Sequence, residues 1–243
     1  MKLRKQILLK KYSILKFIHL FTAIILVTFT STTQALAKGS DIKEYGIVIL
    51  PEEKCAQEAE RLNRNIAKIL SPLKNVNNYW HVTLYHGAYE KNDLNEIYDK
   101  LKGLQLKPLT LNFTKIYSTS NRWIDLGTEK TEYLQNLHIS VVQLASPYHK
   151  RPLARSRDIY KNMTSNQREQ VDNYGVSGIL EMYNPHMTLF YQYPPRAELQ
   201  QAAIKIENNF KENLICKASK IVIGELGYNG NIKKIVYSVN MPD

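Results

Sequence analysis

Apolar positions along the chain switch between a spacing of two and a spacing of three to four, and the switches divide it into short strands and helices. Tyr45 to Leu50 is an apolar run ended by Pro51 and predicts a buried strand. Glu52 to Leu70 predicts a helix, with proline and acids at its start and Ser71-Pro72 at its end. Tyr79 to Tyr85 predicts a strand. Beyond Gly87, Leu94, Ile97, Tyr98 and Leu101 share one face of a helix near Asp93 to Leu101. Two strands come next, about Leu109 to Tyr117 and Arg122 to Leu126, and then a helix from Lys130 to Leu144. His186 to Phe190 is again strand-like. Pro194-Pro195 then leads into a helix from about Arg196 to Phe210. Strands near Ile215 to Leu226 and Ile232 to Val239 are joined by Asn229-Gly230, a strong hairpin signal.

The order of elements repeats. Strand, helix, motif strand, helix and two strands run through the first half, and the second half has the same plan. The fold class this predicts is α+β: a bilobal, duplicated fold with two small, mostly antiparallel sheets facing a central cleft and helices on the outer faces. The main break in symmetry is a polar insert from about 146 to 178. Its start is basic, with Lys150, Arg151, Arg155 and Arg157 ahead of any acid, and a short helix is expected near Asn166 to Asn173. The insert is either a binding loop over the cleft or a solvated surface excursion.

The repeat carries a motif. His81-Val82-Thr83-Leu84 returns as His186-Met187-Thr188-Leu189 in a chain with six histidines. On a strand, side chains alternate faces, so each copy turns an imidazole and a hydroxyl to one side and two apolar residues to the other. Two such strands facing each other make a two-histidine acid–base site, because an imidazole takes up and releases protons near neutrality. The threonine hydroxyls are donors suited to a phosphoryl group. By the same alternation Tyr85 and Phe190 share the histidine face, where they either wall the cleft or pack between the lobes, and His86 points away from it. His138 lies in the helical stripe of Leu134, Leu137, Val141 and Leu144 and reads as a core histidine. No His/Cys/Asp cluster has metal-site spacing and no glycine-rich phosphate loop occurs, so no metal or cofactor is expected.

Residues 1–37 have a different character. Six basic residues and no acid lead into an apolar stretch from Phe17 to Phe29, then Ala35-Leu36-Ala37, the plan of a secretory signal peptide. The apolar stretch is short for a membrane span, so an uncleaved anchor is the weaker alternative. Without residues 1–37, Lys+Arg falls from 33 to 27 against 22 acids, and the net charge falls from +11 to +5. Residues 38–243 therefore read as one mildly basic domain, suited to an anionic substrate, with no track for duplex nucleic acid and no membrane contact after cleavage. Cys55 and Cys216, the only cysteines, either pair in an oxidising compartment or remain two buried thiols.

The paired His-x-Thr-Leu, about a hundred residues apart in a duplicated α+β plan, resembles the two-histidine (2H) phosphoesterase superfamily, which includes 2′,5′ RNA ligase-like proteins and cyclic phosphodiesterases. The resemblance spans nearly all of residues 38–243. It implies a bilobal fold and metal-independent phosphodiester chemistry on a 2′,3′-cyclic phosphate or 2′–5′ linkage of a nucleotide or RNA end. His81 and His186 would be the catalytic pair, and Thr83 and Thr188 the phosphate donors. The expected protein is an exported (periplasmic or secreted), monomeric phosphodiesterase. The alternatives are a nucleotide-binding protein without turnover and a 2′–5′ ligase running the reverse reaction.

Overall fold

The structure, a computed structural model, describes residues 41–70, 79–119, 123–191, 196–210 and 212–243. The signal peptide expected at 1–37 lies outside the described residues, as do Ser71-Pro72, Arg122 and Pro194-Pro195. One compact unit spans Ile42–Asp243 and holds every element named below. Its strands are β1 (Lys43–Pro51), β2 (Val82–Tyr89), β3 (Thr110–Ser118), β4 (Trp123–Thr128), β5 (His186–Tyr191), β6 (Leu214–Leu226) and β7 (Ile232–Asn240). Its helices are α1 (Glu53–Leu70), α2 (Lys91–Lys102), α3 (Glu132–Ala145), α4 (Ala154–Ile159), α5 (Ser165–Tyr174) and α6 (Arg196–Glu207).

The class is α+β, and the layout is duplicated. All strand pairs among the described residues are antiparallel, and they form one seven-stranded sheet rather than two separate ones. The long strand β6 joins the halves. Residues 218–225 pair with β1, residues 220–226 with β7, and residues 214–217 with β3. The path β2-β1-β6-β3-β4-β5 places the two motif strands at its opposite ends. The sheet curves enough to bring those ends back into contact, so β2 and β5 face one another.

The helices exchange halves. α1 comes after β1 but packs on β5 and α6, whereas α3 comes after β4 but packs on β2 and α2. Their sequences explain the docking. α1 buries Cys55, Ala59, Leu62, Ile66 and Leu70, one stripe at helical spacing, and α3 buries Leu134, Leu137, His138, Val141, Val142 and Ala145. Thr131 caps α3 by accepting the Leu134 N–H. The main core lies between these helices and one face of the sheet, and a smaller cluster of Val48, Val222, Leu226 and Ile232 packs apart from it. Cys55 and Cys216 form a disulfide, with a Cα–Cα distance of 6.0 Å, that ties α1 to the shared strand. Among the described residues no helix is long and apolar enough to cross a membrane.

The insert contains two helices where the sequence predicts one. α5 stands where expected, opened by a capping box between Thr164 and Gln167 and closed by Gly175 at φ 78°. α4 is the additional helix. Glu44 of β1 anchors its start, accepting from the Ala154 N–H at 2.7 Å and from Arg151 at 3.1 Å.

Candidate active site

Both histidine–threonine pairs line one cleft of about 690 Å³. Each imidazole is oriented by the same local device: Nδ1 lies 2.8 Å from the Tyr79 carbonyl in His81 and 2.7 Å from the Asn184 carbonyl in His186. A carbonyl only accepts, so Nδ1 carries the proton in both rings and Nε2 is left for the reacting group. The acceptor is two residues upstream each time, so the repeat extends to the hydrogen bonds.

The strand register corrects the alternation beyond the threonine. In β2, Thr83 pairs with Val48 and Tyr85 with Ile47, which leaves Leu84 as an extra residue. In β5, Thr188 pairs with Asp125 and Phe190 with Ile124, which leaves Leu189 extra. Each copy of the motif therefore contains a β-bulge at its leucine, and the bulge reverses the alternation from there on. Tyr85 and Phe190 turn to the core side, 1% and 4% exposed. Tyr85 borders the cleft, with its hydroxyl donated to the Tyr174 carbonyl at 2.6 Å. Phe190 packs in the main core and does not line the cleft.

His86 and Tyr191, one position later, take the cleft-facing places. Strict alternation turns His86 away from the cleft, and the bulge turns it back. Its ring lies over Gly46, its β1 partner, where a Cβ would come within 3.0 Å of the imidazole. Its Nε2 is 3.5 Å from Thr83 Oγ1.

The bulges are braced from behind. A bulge leaves one residue outside the ladder, and its carbonyl needs another donor. His138 of α3 supplies Nδ1–H to the Leu84 carbonyl at 2.6 Å, and Asn63 of α1 donates to the Leu189 carbonyl at 2.6 Å. His138 is fully buried, accepts the Leu180 N–H on Nε2 at 2.8 Å and stacks on Tyr183 with centroids 3.8 Å apart. Tyr183 in turn donates to the Thr83 carbonyl at 2.9 Å. His138 is thus the core histidine that its helical spacing predicts.

Two further residues stand at the site. Asp125, cross-strand from Thr188 and only 1% exposed, places Oδ2 3.7 Å from His186 Nε2. Burial raises its pKa, opposed by the neighbouring His186 and a hydrogen bond with Thr188. The signal in sequence is a lone acid inside the apolar strand Trp123-Ile-Asp-Leu. Arg155 of α4 donates to His86 Nδ1 at 2.6 Å. Burial lowers the His81 pKa to about 4, with the Tyr79 carbonyl opposing and the His186 and Arg155 charges adding to the fall. Among the described residues no group of three or more His, Cys, Asp or Glu is placed to hold a metal ion.

The fold recurs in solved structures. A phosphoesterase crystal structure matches with a TM-score of 0.51, over 84% of this chain and 100% of that one, at 12% identity. E. coli LigT complexed with NADP+ matches at 0.49, over 83% and 99% at 12% identity, and Kluyveromyces marxianus Usb1 with uridine monophosphate at 0.44, over 81% and 98% at 11% identity. No protein-family model and no curated protein matches the sequence. The chain is thus similar in fold to a phosphoesterase of known structure.

Proposed function

We propose that this chain is a two-histidine phosphodiesterase that hydrolyses a 2′,3′-cyclic phosphate or 2′–5′ phosphodiester of a nucleotide or oligoribonucleotide. One observation carries the reading: two imidazoles in one cleft, each with Nδ1–H fixed by a backbone carbonyl, leave two Nε2 atoms to share a proton transfer. His81, which burial keeps neutral at pH 7, takes the proton of the attacking water or hydroxyl. His186, beside the Asp125 carboxylate, gives a proton to the leaving oxygen. Thr83 and Thr188 donate to the phosphoryl oxygens. The fold shared with a phosphoesterase supports the reading, as does the resemblance of the paired motif.

The proposed location is outside the cytoplasm, reached through residues 1–37, and a Cys55–Cys216 disulfide fits such an oxidising compartment. The proposed working form is a monomer. The test is incubation with 2′,3′-cyclic, 3′,5′-cyclic and 2′–5′-linked nucleotides, with products resolved by phosphate position. His81→Ala and His186→Ala should each cut turnover at least about a hundredfold, and EDTA should have no effect. Variants as active as the unaltered protein, or loss of activity on chelation, would sink the assignment.

A further inference from the structure

Beyond the two motifs, one end of the cleft is closed by α4, by the β6–β7 turn and by Trp123 and Tyr191. Arg155 projects there from α4. Its Cζ lies 6.0 Å from the Trp123 ring centroid, and its Nη1 approaches Gly230 so closely that a Cβ there would be 2.6 Å away. The turn favours glycine at this point because Gly230 has φ 85°. α4 is fastened to the turn by Tyr228, whose hydroxyl donates to Asp158 at 2.5 Å, and to β1 through Glu44.

Among the described residues no carboxylate bonds the guanidinium directly, although Glu44 acts on it at longer range and favours its charge. Glu44 is engaged by Arg151, and Asp158 by Tyr228. Its partner is His86, which must accept through Nδ1 because arginine only donates, and so keeps its own proton on Nε2, toward Thr83. A cation drawn partly out of water onto a neutral imidazole, with its nearest carboxylate engaged elsewhere, is only partly compensated, and an incoming anion would complete that.

Position sets which anion. Thr83 meets His86 at Nε2 across 3.5 Å, whereas the guanidinium bonds the other ring nitrogen at 2.6 Å. Arg155 thus stands one imidazole ring beyond the threonine assigned to the scissile phosphate. The second motif has Tyr191 at the place of His86, so among the described residues this extension lies on the first-motif side of the cleft.

We propose that Arg155, held in place by His86, forms a second anion subsite, which takes a phosphate of the substrate one nucleoside removed from the scissile phosphate. The substrate class narrows to phosphodiesters that bear a second phosphate, either a 5′-phosphomonoester on the same nucleoside or the next internal linkage of an oligonucleotide. This rests on the phosphodiesterase reading of the two histidines. Burial, with the charge of Arg155 adding to it, holds the His86 pKa well below its ordinary value, which keeps the ring an acceptor for the guanidinium.

Calorimetric titration with adenosine 3′-monophosphate, adenosine 3′,5′-bisphosphate and the dinucleotide ApAp tests it without turnover. At least one two-phosphate ligand should bind about tenfold or more tightly than the monophosphate. A gain confined to the bisphosphate identifies a terminal phosphate, and a gain shared by ApAp an internal one. Arg155→Gln should bring the ratio to within about twofold, and Arg155→Lys should retain part of it. Equal affinity for one- and two-phosphate ligands in the unaltered protein, or a ratio that survives Arg155→Gln, overturns the subsite. A preserved ratio in a protein that cleaves no phosphodiester would overturn the hydrolase and leave the subsite standing.

Discussion

At His186 the Nδ1 proton is committed to the Asn184 carbonyl, so Nε2 faces the cleft with Asp125 Oδ2 3.7 Å away. His81 has no such neighbour: its β1 surroundings offer Val48 cross-strand from Thr83, where the second motif has Asp125. Under the proposed reading, that one difference is what assigns His81 as the base and His186 as the acid. Asp125→Asn keeps the side-chain volume and removes the charge. It should lower kcat on the order of tenfold or more. Full activity would make Asp125 a structural residue only. The two histidine–threonine pairs are legible in sequence because the motif occurs twice. Asp125 is legible only as an oddity, one acid in an apolar strand, and nothing local tells which histidine it meets.

Strand alternation leads correctly to the cleft as far as Thr83 and Thr188 and fails one residue later, at the two bulges. A bulge is a property of a pair of strands, set by how β1 and β4 register against β2 and β5, so it leaves no mark in the motif strand's own pattern. The strand expected at Tyr79 to Tyr85 likewise runs instead over Val82–Tyr89, where its pairing with β1 places it. One shared trait of the two copies does point past the bulge, since both carry an aromatic ring five residues after the histidine, His86 and Tyr191. The helices behind the bulges matter to the chemistry because they fix the carbonyls of Leu84 and Leu189, the residues next to the two threonines. Asn63 makes its bond to Leu189 at 2.6 Å. Asn63→Leu fills the volume but leaves that carbonyl without its donor, which costs about 1–3 kcal/mol. We expect thermal melting to show that loss, and kcat to fall through a displaced Thr188 while α1 keeps its helicity. Unchanged kcat at reduced stability would confine Asn63 to packing.

Over the whole molecule, the duplicated plan is readable from the order of elements, whereas the joining of both halves through β6 is not, because nothing in an apolar strand states how many partners it has. Nor can spacing show that Cys55 and Cys216, 161 residues apart, meet. The assembled fold also sets a pH limit on itself. His138 is enclosed between α3, the Leu84 bulge and Tyr183, and burial lowers its pKa to about 4, against a smaller opposing effect of the Leu84 carbonyl. Unfolded, it titrates near 6.5. The unfolded chain therefore binds this proton more readily, and stability rises with pH between the two values. The contribution is complete above about pH 6.5 and is lost as pH falls toward 4. By pH 5 the loss amounts to about 2 kcal/mol, a large share of a typical domain's 5–15 kcal/mol. His81, also lowered to about 4, and His86 push in the same direction. Melting curves at pH 7.5 and 5.0 separate His138 from the others: His138→Gln keeps an amide donor for Leu84 and an acceptor for Leu180 but cannot titrate. Its melting temperature should fall by several degrees less than that of the unaltered protein over this interval. Equal falls would place the acid sensitivity elsewhere in the cleft.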